Sequence, residues 1–344
     1  MKKLLLATAV AALSVAAANA APTIYGKAFV GMDYVNVDNE IGLVDTDEDS
    51  VQINSYSSRL GFKGAEALSA NTDVIYQYEV GISVDGETSG FSSRDTYLGL
   101  NNDKYGEFRF GRNTSVLDYV NNVITSGSGY WDNLGSNRLE SEETGVNMTD
   151  SGRRNNSVVW KAPKYNGLPL DVALMYKADE SLNGATNSDA GFAAAAMFDA
   201  GTGITFGLAY DNDVNLDGDL IRGTATVDMS KFIAYPVTVG ALYQVADFDS
   251  GAAARGDEKE KGMVLSAKMG LNNFAKPAAV YVQYNNTSDV LGVDGFDSDQ
   301  IVVGGEYQFR SNMIAHAYVG QNSAELGAED YDLFAAGGGL EYKF

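Results

Sequence analysis

The stretch 113–152 holds the densest set of groups that could do chemistry. Over 40 residues it carries six carboxylates (Asp118, Asp132, Glu140, Glu142, Glu143 and Asp150) against one base, Arg138. Metal or nucleophilic chemistry has little support elsewhere. His316 is the only histidine and there is no cysteine, so neither a His-based metal cluster nor a Ser-His-Asp triad can form without it. The segment 211–219, rich in Asp and Asn, resembles a calcium loop superficially. It has Leu216 where an EF-hand needs glycine, and no flanking helices. No metal and no cofactor is expected. What remains for the acids of 113–152 is an electrostatic role, in which charges along a passage sort the ions that enter it.

Loops longer than about 12–15 residues are rare in compact domains unless they are functional. This one shows neither a convincing strand nor an amphipathic helix, yet Tyr119, Tyr130 and Trp131 could anchor it to a wall. The elements around it are strands. Ile24, Val30, Met32 and Tyr34 share one parity, with Lys27 and Asp33 on the other; Val74, Tyr76, Tyr78, Val80 and Ile82 oppose Gln77 and Glu79. Such period-2 alternation marks a sheet with two different faces. It recurs over 23–36, 51–63, 71–83, 94–101, 106–112, 153–162, 168–178 and 189–198. It continues over 202–211, 219–229, 235–246, 261–271, 276–285, 299–309, 313–321 and 333–344. The chain is thus all-β, with sixteen expected strands.

The connections sort by parity. Those after even-numbered strands are short, as at 102–105 and 310–312; those after odd-numbered strands are mostly long and acidic, as at 37–50, 247–260 and 286–298. A soluble sandwich has no reason to sort them so, and sixteen strands in an open sheet leave edges exposed. Short turns at one end and long loops at the other are the asymmetry of an antiparallel transmembrane β-barrel. About sixteen strands enclose an aqueous channel, unlike eight. The aromatic faces then look toward lipid and the charged faces into the lumen, and 113–152 becomes the third outer loop, read either as folded into the barrel mouth against basic wall residues or as a solvated surface loop.

Residues 1–20 read as a secretory signal peptide: Met1-Lys2-Lys3, an apolar run from Leu4 to Ala18, and an Ala18-Asn19-Ala20 cleavage site. The remainder, 21–344, reads as a single barrel domain without linkers. Losing Lys2 and Lys3 takes the formal charge from −22 to −24, which argues against a nucleic-acid partner.

Several short motifs, in order, carry a family resemblance. They are Tyr25-Gly26-Lys27-Ala28, Ser58-Arg59-Leu60-Gly61-Phe62-Lys63-Gly64, and Arg94-Asp95-Thr96-Tyr97-Leu98-Gly99-Leu100. Tyr105-Gly106-Glu107-Phe108-Arg109-Phe110-Gly111-Arg112 follows, then Arg153-Arg154-Asn155-Asn156-Ser157 and a closing Tyr342-Lys343-Phe344. Together they resemble the general porins of Gram-negative outer membranes, most densely in the first half. A Pro-Glu-Phe-Gly turn that some members carry in the constriction loop is absent. The resemblance implies a homotrimeric, sixteen-stranded channel for passive diffusion of small hydrophilic solutes and ions, not an enzyme. It also implies outer-membrane lipid, lipopolysaccharide and the barrel-assembly machinery as partners, with Phe344 as assembly signal. Carried over by motif, a basic wall of Lys27, Arg59, Arg94 and one of Arg153 and Arg154 faces acids of the loop. Asp118, Asp132, Glu140, Glu142 and Glu143 are the candidates. Strand parity favours Arg153 for the lumen, because Val158 and Trp160 share the other face with Arg154. With these loops and this charge, moderate cation selectivity is expected. The alternatives are an oligosaccharide-selective channel, which needs an aromatic track along the lumen, or an adhesin acting through the loops.

Overall fold

The computed structural model describes residues 22–41, 46–86, 90–123, 129–131, 146–164, 168–179, 190–249 and 257–344. The expected signal peptide lies outside them, as do Asp132, Arg138, Glu140, Glu142 and Glu143 of the long loop.

Seventeen strands form one sheet. They are β1 (Thr23–Asn39), β2 (Thr46–Ser55), β3 (Arg59–Ser69), β4 (Thr72–Gly81), β5 (Ser92–Asn102), β6 (Gly106–Thr114), β7 (Arg153–Lys161), β8 (Leu170–Lys177) and β9 (Gly191–Asp199). Then come β10 (Ile204–Asn212), β11 (Gly218–Asp228), β12 (Val237–Phe248), β13 (Lys259–Leu271), β14 (Ala278–Ser288), β15 (Phe296–Arg310), β16 (Met313–Leu326) and β17 (Glu329–Lys343). Both β2 and β3 pair with β1, β2 along residues 30–39 and β3 along 23–27, so they fill one place in the ring. The barrel therefore has sixteen places, all antiparallel. It closes where β17 returns to β1, from Lys27 opposite Lys343 to Asn39 opposite Tyr331. Phe344 completes the seam by exchanging backbone hydrogen bonds with Gly26. Its ring covers Gly26 so closely that a Cβ there would overlap it.

The alternation sorts as a barrel in lipid requires. On β1, Ile24, Met32 and Tyr34 are exposed outside while Phe29, Asp33 and Val35 are buried inside. Closure satisfies every strand edge, which is obligatory where no water can bond the backbone. One end carries hairpin turns as tight as Ala70-Asn71 and Ser311-Asn312.

Three expectations need correction. The strand expected over 51–63 is two, broken at Tyr56–Ser58, where Ser57 takes φ +49 and the Tyr56 hydroxyl turns in to bond Asp33. The connections expected at 37–50 and between the last two strands are largely strand. β1 and β2 run well into the first, and only Gly327 and Ala328 separate β16 from β17. The reason lies in the outward residues of these extensions. Asp38 stands opposite Asp47 on one side and Asp332 on the other, so the backbone ladder continues after the apolar alternation has ended. The lumen is also less charged than expected. Inward positions on β8–β10 include Ala173, Met175, Ala193, Ala195 and Ala209, which pack on Val116, Leu117 and Val120 of the long loop. The 211–219 segment, for which no metal was expected, uses its carboxylates on itself. Asp211 accepts from the backbone N–H of Val214 and Asn215 at 3.1 and 3.0 Å, and Asp213 from Gly218 N–H at 2.9 Å. No group of three or more His, Cys, Asp or Glu able to hold a metal occurs among the described residues.

Candidate functional site: the loop-narrowed lumen

The loop between β6 and β7 enters the barrel and follows its inner wall. A short 3-10 helix, Val116–Val120, starts it, with the Ser115 hydroxyl accepting from Leu117 N–H. Asn122 then reaches Thr224 on β11, and Val123 C=O accepts from Ser266 on β13. Further on, Trp131 donates from Nε1 to Ala335 C=O on β17 at 3.2 Å. Gly129, at φ +68, lies so close to the Tyr318 ring that no side chain fits between them. The returning arm docks on β16 through β11 in turn. Val146 bonds Asn322, Asn147 donates to Gln300 at 2.7 Å, and Thr149 N–H donates to Glu260 at 2.7 Å. Gln244 donates to Thr149 C=O at 2.6 Å. Arg222, fully buried, bonds Gln244, Asn121 and Asp150, the last at 3.1 Å. Buried polar groups of this kind are stable only when fully partnered, and the loop supplies the partners.

The opposite wall stays open and basic. Lys27 on β1 stands directly across from Arg59 on β3. Arg94 on β5 and Arg153 on β7 continue the series. These four, with Ser57, Thr114, Ser151, Gly152 and Asp118, line one cavity of about 370 Å³. Cations about 5 Å apart at an effective dielectric near 20 repel by roughly 3 kcal/mol, so a ladder of this kind needs acids behind it. Glu79 and Asp95 supply them. Glu79 accepts from Arg94 at 2.6 Å, lies 3.9 Å from Arg59 and takes the Tyr25 hydroxyl at 2.9 Å. Asp95 accepts from Arg153 at 3.0 Å and from Thr114 at 2.8 Å.

Of the acids expected on the loop, Asp118 faces this cavity. It accepts from Asn121 at 2.9 Å and Ser151 at 3.1 Å. Burial pushes its carboxyl above the usual range, and the neighbouring Asp150 adds to the push. The other four candidates, Asp132, Glu140, Glu142 and Glu143, lie outside the described residues. Arg154 does not line the cavity; it donates to the Asn215 side chain at 3.2 Å and its C=O at 2.9 Å.

Strand parity does not by itself place Arg153 in the lumen, because β7 carries a bulge. Gly111 pairs with Ser157 but Asn113 with Arg154, one residue extra, with Asn156 at φ +53. A similar bulge in β5 lies between the Tyr78–Thr96 and Val80–Ser93 pairs. It brings adjacent Arg94 and Asp95 both inward, which strict alternation forbids; bulges re-aim side chains in this way. Glu79 was readable as a lumen residue from parity, but its role as counter-charge was not. Nothing in sequence spacing marks Arg222 or Glu260 as loop anchors.

A closed barrel whose lumen is crossed by its own loop, leaving a charge-lined gap, has the architecture of a transmembrane diffusion channel. A family model described as Gram-negative porin matches residues 7–325, and the chain belongs to that family of outer-membrane channels. It is 28% identical over 359 residues to the major outer membrane protein P.IB of Neisseria meningitidis serogroup B, covering both chains fully. It is 37% identical to the P.IB protein of Neisseria sicca over 125 residues, 36% of this chain and 34% of that one. Among solved structures, the anion-selective porin from Comamonas acidovorans superposes with a TM-score of 0.66 at 19% identity, covering 94% of this chain and 100% of that one. OmpT of Vibrio cholerae gives 0.64 at 14%, covering 94% and 97%.

Proposed function

We propose that this outer-membrane porin passes small hydrophilic solutes and ions through the gap between the basic ladder and the loop, with moderate cation preference. The observation that carries the reading is the shared cavity of Lys27, Arg59, Arg94 and Arg153 with Asp118. Two fields compete there. A formal charge of −22 over the whole chain and the acidic strand extensions concentrate cations at the wide mouth. The ladder attracts anions in the cavity, where Asp118 is the loop acid on the lining among the described residues. The mouth field is screened over about 8–10 Å near physiological salt, so the cation preference belongs to low ionic strength. Anion preference is the second reading, favoured by four cations facing one carboxylate in the cavity. Reversal potentials of the purified protein in a planar bilayer under a salt gradient decide between them. A cationic sign that shrinks as both salt concentrations rise supports the first; an anionic sign at low salt replaces it with the second.

The functional unit in this reading is a homotrimer, assembled through outward faces near β1 and β17, with Phe344 required for insertion. Stable triplet conductance steps, and an oligomer in mild detergent that boiling dissociates, are the expected results. Normal insertion of a chain lacking Phe344 counts against its role.

A further inference from the structure

A second charged place lies on the short-turn side of the long loop. It is a cavity of about 570 Å³ beside the turns after β5 and β7, with the start of the loop as its roof. This volume is within the usual range of small-molecule sites. Its cations differ in how they are held. Lys164 is paired with Asp171, and the lining acid Glu107 is taken up at 2.5 Å by Arg109, which does not line the cavity. Lys161 has no such partner among the described residues. Its Nζ sits 4.4 Å from the centre of the Tyr119 ring and makes no ion pair or hydrogen bond among the described residues. The Tyr119 hydroxyl also lacks a partner there. Burial pushes that phenol up to about 12, so it keeps its proton and remains a donor. Two donors thus share the cavity lining with Ala173, Ala195 and Met197. Asp103, on the β5–β6 turn, is the acid of the lining without an ion pair among the described residues.

We propose that this cavity is a subsite for small organic carboxylates with an apolar body. The carboxylate takes Lys161 and the Tyr119 hydroxyl, and the body packs on the alanine and methionine wall. A charge-assisted pair of donors selects the carboxylate; the apolar wall separates it from inorganic anions. Binding is weak, as a conducting pathway needs sites that solutes can leave.

The test is an NMR titration of the full chain in detergent, which reads binding whether or not the channel conducts. The probe is sodium benzoate, with acetate (charge without body) and benzyl alcohol (body without charge) as controls. Benzoate is expected to saturate at millimolar concentration, at least about fivefold tighter than either control. Lys161→Met should weaken it by about fivefold or more, while Lys161→Arg stays within about twofold. Ala195→Leu, which fills the cavity and leaves the cation, should weaken benzoate more than acetate. The proposal is overturned if Lys161→Met binds benzoate like the parent, or if Lys161→Arg loses as much as Lys161→Met. Equal affinity for acetate and benzoate removes the apolar wall from the site. Should Lys161→Met fail to fold, Ala195→Leu decides: unchanged benzoate binding overturns the assignment.

Discussion

The two halves of the lumen use the same inward positions in opposite ways. From β1 to β7 the wall presents long cations to an open gap, with Glu79 behind Arg59 and Arg94 and Asp95 behind Arg153. From β8 to β17 many inward residues, among them Ala173, Ala195, Gln244, Glu260 and the buried Arg222, pack under the loop or bond to it. A barrel interior is therefore not one environment. Where the loop lies against it, the wall behaves as a protein core, packed on the loop and hydrogen-bonded to it. Where the loop stands away, it behaves as a surface whose charges act on solutes.

The contrast should break first on the covered side. Arg222→Ala leaves Asp150, Asn121 and Gln244 without their shared donor; removing one partner of a buried pair typically costs about 3–5 kcal/mol. Thermal unfolding in detergent should fall accordingly, and single-channel current should become noisier as the loop loosens. A parental melting temperature would mean the loop is held elsewhere. Gly129→Ala attacks the same side through shape, because a Cβ overlaps Tyr318 and φ +68 disfavours a side chain. A cost of roughly 1–3 kcal/mol is expected, with altered conductance. Wild-type stability and conductance together would show that the loop tip relaxes freely.

On the open side, effects should be functional rather than structural. Arg59→Ala combined with Arg94→Ala removes two ladder cations and should raise the cation-to-anion permeability ratio about two- to threefold at low salt. Glu140→Gln, Glu142→Gln and Glu143→Gln together should lower it. If the triple change leaves reversal potentials untouched, those acids belong to the outer surface and Asp132 is the next candidate. The smallest effect is a pH dependence. Asp118 has a folded pKa above its unfolded value, so its ionised form is disfavoured in the native state. Lowering pH through that raised value neutralises it before ordinary carboxylates near 3.9 titrate, and cation preference should fall there. The same sign makes Asp118→Asn no less stable than the parent at pH 7, with the pH step removed. A step that survives in Asp118→Asn assigns it to another group.

Legibility in the sequence followed the same division. Strands with an apolar outer face, such as β1 and β4, were readable from alternation, and the basic wall from short motifs around Lys27, Arg59 and Arg94. The bulges in β5 and β7 were not, because one inserted residue leaves no compositional trace while exchanging the two faces. Hence Asp95 was missed as the partner of Arg153, and Arg153 was favoured for a reason that the β7 bulge invalidates. The strand extensions were read as loops because their outward residues had stopped being apolar. The alanine wall was unreadable for a further reason: Ala173, Ala193 and Ala195 are small because something lies on them, and that something is 100 residues or fewer away only along the chain's contour, not by any local rule.

The seam where β17 meets β1 sets a kinetic condition on the whole molecule. Lys27 and Lys343 are register partners at opposite ends of the chain. Bringing ends this far apart together costs roughly 5 kcal/mol of chain entropy on a logarithmic loop-closure law, and no earlier pairing supplies the same contact. Every intermediate before that step has two free edges, each able to recruit a foreign strand. In hydrocarbon those edges have no partner at all. Zipping the seam and entering the bilayer are thereby bound into one event, and the final strand acts as the commitment point of assembly.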